Sequence, residues 1–136
     1  MNSPLPLLGV LEAAVLEHLW EVGSAIPRDV HGAVGEPRGI TVNTVQSALE
    51  RLHRKRVLIR ERLGPAYRYA PALRREEFRA RRIADALGPL DGTDARSVLE
   101  ALVELVARGP AGRRNIDHLE ELCREARDPS ARRKRA

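Results

Sequence analysis

Apolar side chains recur at Leu8, Leu11, Val15, Leu19 and Val22, with Leu16 and Trp20 widening the stripe. Steps of three and four residues put these on one side of an α-helix, and Gly23 ends the run. A shorter second helix is expected from Pro27 to Val34, because proline is tolerated in a helix's first turn; it would bury Ile26, Val30 and Val34. Gly35, Pro37 and Gly39 then impose a loop. The third segment has the cleanest pattern. Thr41 is placed as an N-cap, and Val45, Ala48, Leu49 and Leu52 follow at the i, i+3, i+4, i+7 spacing of one buried face. At about 100° per residue, the direction opposite that stripe falls on Asn43, Ser47 and Arg54, with Glu50 on one shoulder and Arg51 on the other. The helix should end near Lys55-Arg56.

The period then changes. Val57 to Leu63 and Ala66 to Pro71 read as two short strands around a Gly64-Pro65 tip, a hairpin. Alternation puts Tyr67 and Tyr69 on one face with Arg68 on the other, and gives Arg60 and Arg62 a shared face. Beyond Pro71 three more helices are expected. The first, from about Arg75 to Leu87, carries Phe78, Ile83, Ala84 and Leu87 and stops at Gly88-Pro89. The second, capped by Thr93, carries Val98, Leu99, Leu102, Leu105 and Val106 and stops at Gly109-Pro110. The third, capped by Asn115, carries Ile116, Leu119, Leu122 and Cys123. Three short helices with one stripe each cannot build a large core alone. Their apolar residues are therefore expected to bury against a second copy of the chain, with Phe78, Ile83, Leu87, Val98, Leu99, Leu102, Leu105, Leu119 and Leu122 as the dimerisation candidates.

A chain of 136 residues is one compact domain, or a small domain with an appendage. Aromatics are only 3% of it, so the core must be aliphatic. The formal charge of +5 hides a pattern: residues 1–35 carry −3, residues 36–82 carry +8, residues 83–128 carry −4 and the tail carries +4. The excess of positive charge begins at the third helix and runs through the hairpin, where it would attract phosphate.

Helix, helix, helix and hairpin within residues 8–71 is the layout of a winged helix-turn-helix domain. There the third helix enters the DNA major groove and the hairpin, or wing, follows the backbone. The expected fold is mainly α with a small two- to three-stranded β wing. Its parts are a winged helix-turn-helix domain over 1–72, a helical dimerisation region over 73–128 and a basic, disordered tail over 129–136. Asn43, Thr44, Gln46, Ser47 and Arg51 are the candidates for base readout. Asn and Gln can pair bidentately with adenine, and Ser and Thr accept several partners. Thr41, Arg54, Lys55, Arg60, Arg62 and Arg68 are candidates for backbone contacts, which supply salt-dependent affinity without sequence information. Arg51 also has a competing reading, a surface cation paired with Glu50 or Glu61. Trp20, Tyr67 and Tyr69 read as packing residues.

The run Leu8-Gly9-x-Leu11-Glu12-x-x-Val15-Leu16-x-x-Leu19-Trp20 resembles the opening helix of the penicillinase-repressor family. So do Thr41-Val42-Asn43-Thr44-Val45-x-x-x-Leu49-x-Arg51-Leu52-x-x-Lys55 and the wing end Tyr67-Arg68-Tyr69-Ala70-Pro71. The resemblance implies a dimeric bacterial repressor that binds inverted-repeat operators, with an N-terminal winged helix and C-terminal helices for dimerisation. There are three departures. Arg56 stands where many relatives have glycine, no Cys-x-Cys pair of the copper-sensing branch occurs, and Glu100-Ala101 occupies the position of the Asn-Phe bond cut in relatives silenced by proteolysis.

Other classes find little support in the residues. The single Cys123 allows neither an intrachain disulfide nor a multi-cysteine zinc site, and it reads as a small buried apolar residue. His18, His31, His53 and His118 show no metal-ligand spacing, so no metal or cofactor is expected. No apolar run approaches the ~20 residues of a membrane span, and the first eight residues lack a signal-peptide pattern. A cytoplasmic, non-enzymatic protein is the expectation, since no phosphate loop, metalloprotease helix or nucleophile elbow occurs. The partners expected are double-stranded DNA and a second copy. The rival is a winged-helix module whose third helix and wing bind a protein instead.

Overall fold

The stripe that opens the chain forms helix α1 (Val10–Val22), which turns Val15, Leu16 and Leu19 inward and ends where the Gly23 N–H bonds back to the Leu19 carbonyl. Val22 is exposed, so the buried face stops one turn before the helix does. The architecture is that of a computed structural model, which describes residues 4–128 and 130. The chain divides into two compact units between Ala86 and Leu87.

In the first unit, helix α2 (Pro27–Val30) is shorter than expected. It opens into a wide π turn at His31–Gly35 and a 3-10 turn at Glu36–Arg38, where a plain helix to Val34 and a loop were predicted. The cause is close packing at Gly35. A Cβ there would lie 2.6 Å from His31 Cδ2 and 2.9 Å from Val45 Cγ2, so only glycine lets this turn rest on the next helix. His31 Nε2 lies 2.8 Å from the Ile40 carbonyl oxygen and ties the turn to its exit, a bond that needs the proton on Nε2.

Helix α3 (Val42–Arg54) starts at Thr41, whose Oγ1 accepts the Thr44 N–H at 3.3 Å as the predicted cap. It ends in a Schellman motif. The Arg56 N–H bonds to the His53 carbonyl and the Val57 N–H to the Leu52 carbonyl, both at 3.0 Å, while Leu52 and Val57 meet in the core. The motif needs a left-handed residue, and Arg56 fills that place with φ 62, the one non-glycine residue of positive φ among those described. The turn typical of glycine is thus kept at a side chain's steric cost, roughly 1–2 kcal/mol.

Strands β1 (Leu58–Leu63) and β2 (Ala66–Pro71) pair antiparallel, with Arg60 opposite Tyr69 and Arg62 opposite Tyr67. Ala25 adds a one-residue third strand, exchanging both backbone hydrogen bonds with Tyr69 at 2.9 and 3.0 Å. The core is aliphatic as expected: Val15, Leu16, Leu19, Val30, Val45, Leu49, Leu52 and Val57 lie around Tyr69.

Helix α4 (Arg75–Leu87) changes the predicted division of the chain. Phe78 is only 7% exposed and packs edge-on against Trp20 at 5.4 Å, while the Trp20 indole donates to the Leu73 carbonyl at 2.8 Å. Arg75 adds a 2.7 Å ion pair to Glu17 of α1. Phe78 therefore belongs to the core of the winged-helix unit and is withdrawn as a dimerisation residue, and that unit extends beyond residue 72.

The second unit is an αα hairpin of α5 (Ala95–Ala107) and α6 (Gly112–Arg127). Neither predicted cap serves. Asp94, not Thr93, precedes α5, in a helical conformation that places no side chain on the first N–H groups. α6 begins three residues before Asn115, whose N–H already bonds to Ala111, because Gly109–Gly112 folds into a turn of its own. A Cβ at Gly112 would collide with the Ala107 carbonyl, so glycine is required at this corner. Cys123 is exposed on α6 rather than buried. Among the described residues from 87 onward only Gly112 is buried. Apart from Ser130, the expected basic tail lies outside the described residues.

Candidate nucleic-acid interface

The buried stripe of α3 decides which side chains it shows to solvent. With Val45, Ala48, Leu49 and Leu52 turned inward, Asn43, Thr44, Gln46, Ser47 and Arg54 are all exposed on the remaining surface. No acidic residue lies in the first turn, so the positive end of the helix dipole is not offset. Val42, also exposed, adds an apolar contact at the same end that was not singled out from the sequence. The Thr41 hydroxyl is occupied as the cap and lies 3.0 Å from Thr44 Oγ1.

The wing arranges its cations on two faces. Arg68 is exposed and stands opposite Glu61 in the register, facing away from the tyrosines. Arg60 and Arg62 share the tyrosine face. The Arg60 guanidinium lies 4.0 Å from the Tyr67 ring centroid and donates to the Tyr69 hydroxyl at 3.4 Å. That hydrogen bond raises its already high pKa further, so it stays a cation. Arg60 is therefore a stacked, half-buried strut under the wing. Arg62 lies 5.5 Å from the same ring, is exposed, and donates to the Gly64 carbonyl at the tip.

Two of the predicted cations point elsewhere. Glu12 of α1 is the one buried charged residue among those described, 7% exposed, and Lys55 Nζ meets its Oε2 at 2.7 Å. Lys55 also donates to the Leu7 carbonyl at 3.2 Å, and Arg51 Nε lies 3.6 Å from Glu12 Oε1. Arg51 thus faces Glu12, and not the Glu50 or Glu61 of its competing reading. By contrast, Arg54, Arg56 and Arg68 make no ion pair with any described residue. Arg56, in the sequence a departure from glycine and not a contact candidate, has an exposed side chain next to Arg54 and is a member of this surface.

An exposed polar helix face beside a basic wing is the disposition of a DNA-reading domain. The sequence profile of the penicillinase repressor family matches residues 8–125. The chain belongs to the penicillinase repressor family. It is a DNA-binding transcriptional repressor with a winged-helix fold. Relatives include the transcriptional regulator BlaI of two Mycobacterium tuberculosis strains, CDC 1551 / Oshkosh and ATCC 25618 / H37Rv. Each is 37% identical over 107 residues, covering 78% of this chain and 76% of the relative. A crystal structure of the AntR antimony-specific transcriptional repressor is 25% identical, with a TM-score of 0.41 over 57% of this chain and 63% of that one.

In this family member the remaining dimerisation candidates are placed as follows. Leu99, Leu105 and Leu122 are exposed on α5 and α6, Val98, Leu102 and Leu119 are half-buried, and Ile83 and Leu87 lie along α4. Among the described residues no helix is long and apolar enough to cross a membrane.

Proposed function

We propose that this repressor acts as a homodimer at an inverted-repeat operator, placing two α3 helices in major grooves about one turn of DNA apart and blocking access to a promoter. Asn43, Thr44, Gln46 and Ser47 read base edges, with Val42 available to a thymine methyl group. Arg54, Arg56, Arg62 and Arg68 contact phosphate. The observation that carries this reading is the exposed polar start of α3 next to unpaired arginines on its last turn and on the wing. Support for the dimer comes from the second unit, whose two amphipathic helices keep Leu99, Val103, Leu105 and Leu122 between 44% and 63% exposed. A pair of helices with so little buried surface is stable only when covered.

The test is fluorescence anisotropy with the DNA upstream of the protein's own gene, against scrambled competitor, at ~50 and ~200 mM salt. Selective binding that survives competitor at the higher salt is expected. Substitutions at Gln46 or Ser47 should then change sequence preference, whereas Arg68→Ala should weaken all sequences alike. Binding that ignores sequence at both salts would instead favour the protein-interaction module.

A further inference from the structure

Glu12 lies on the buried stripe of α1, where an unpaired carboxylate would be costly, and both cations that approach it come from α3. Lys55 is the residue that ends α3, and it reaches past Glu12 to the Leu7 carbonyl just before α1. The last turn of α3 is thereby fastened to the first turn of α1 by charge, one to two helical turns beyond the base-reading Ser47. Arg51 is held less tightly: its Nε contact is beyond hydrogen-bond distance and its side chain is 42% exposed, against 31% for Lys55. Both could swing toward solvent if the carboxylate were lost.

We propose that Glu12 is a positioning residue for DNA recognition, a carboxylate inside the protein that occupies Arg51 and Lys55 in place of DNA phosphate. It sets the seating of α3 and keeps two cations out of the sequence-independent part of binding. Discrimination between operator and other DNA is therefore greater than the full basic content of the helix would allow. This inference rests on the reading of α3 as the DNA-reading helix.

The experiment uses the full-length protein and a fluorescent mixed-sequence duplex several turns long, so that no operator need be known. Glu12→Gln keeps the shape of the side chain and removes its charge. Non-specific affinity should rise, and the slope of log K against log salt should steepen by about 0.9 for each cation released per protomer. Adding Arg51→Ala to Glu12→Gln should return part of that slope. In the unaltered chain Arg51→Ala should leave the slope where it was, a readout available even if Glu12→Gln folds poorly. A merely structural role for Glu12 predicts weaker binding of unchanged slope in Glu12→Gln, and that result overturns the inference. So does a slope flattened by about 0.9 per protomer in Arg51→Ala alone, since Arg51 would then already be on phosphate. Either leaves the DNA reading intact. If the unaltered protein shows no salt-dependent binding to any duplex, the proposed function fails and the inference with it.

Discussion

Phe78→Ala separates two accounts of α4, one in which its apolar residues cover a second copy and one in which they complete the winged-helix core. Phe78 is buried against Trp20 in an edge-to-face contact with centroids 5.4 Å apart. Truncating a buried phenylalanine costs about 3–5 kcal/mol, a figure that includes the aromatic pair. A unit of this size is stabilised by only about 4–13 kcal/mol in total. With a shift of about 4–8 °C for each kcal/mol, the unit should lose at least ~12 °C in Tm. Trp20 is the chain's one tryptophan, so its fluorescence reports this unit directly. Thermal melts followed at Trp20 should show the loss, while sedimentation below the new Tm should show the association state of the unaltered protein. A Trp20 transition that stays in place while association is lost would refute the placement of Phe78.

Arg56→Gly should raise stability by about 0.5–1 kcal/mol, the left-handed strain relieved less the entropy glycine adds to the unfolded chain; urea unfolding at fixed protomer concentration measures it, and a destabilised variant would contradict the strain. Gly35→Ala should cost about 1–3 kcal/mol in the same assay, because the added methyl must displace either His31 or Val45. Leu99→Glu, on an exposed position of α5, should shift the protein to monomer in sedimentation while the Trp20 transition of the first unit stays unchanged. A dimer that survives this change would place the contact elsewhere.

The elements most legible in the sequence are those whose reasons are local. The face of α3 follows from four apolar residues at helical spacing, its start from Thr41, and the pairing of Arg60 with Tyr69 from a two-residue tip between alternating strands. Phe78 was misassigned although its own spacing held a signal. It precedes Ile83 by five residues, about 140° around a helix, so the two could not share one face, and Ile83 is 53% exposed where Phe78 is buried. The π turn after α2 could not be read, because Gly35 is required by contacts with His31 and Val45 that exist only once α3 has docked. The partners of Arg51 and Lys55 were hidden for a similar reason. Glu12 in an apolar stripe demanded a cation, but nothing in the α1 pattern says that α3 provides it.

Pairing also changes what the basic segment is worth on DNA. Residues 36–82 hold thirteen basic side chains. In the folded chain Arg74, Arg75 and Arg79 are bound to Glu76, Glu77 and Glu17. Arg51 and Lys55 are bound to Glu12, Arg60 is stacked on Tyr67, Arg38 donates to the Val34 carbonyl, and Arg81 and Arg82 lie on α4, Arg82 over the Phe78 ring. The α3 and wing surface is left with Arg54, Arg56, Arg62 and Arg68 as exposed arginines. A dimer engaging all four on each protomer should show a slope of log K against log salt of about −7, whereas the six cations read from the sequence alone would give about −11. The difference is large enough to measure by titration over a fourfold range of salt. A slope near the steeper value would mean that DNA draws two of Arg51, Lys55 and Arg60 away from Glu12 and the tyrosines. These contacts of the free protein would then be stores of charge released on binding, and the 2.7 Å pair of Lys55 with the buried Glu12 would not be a fixed seat.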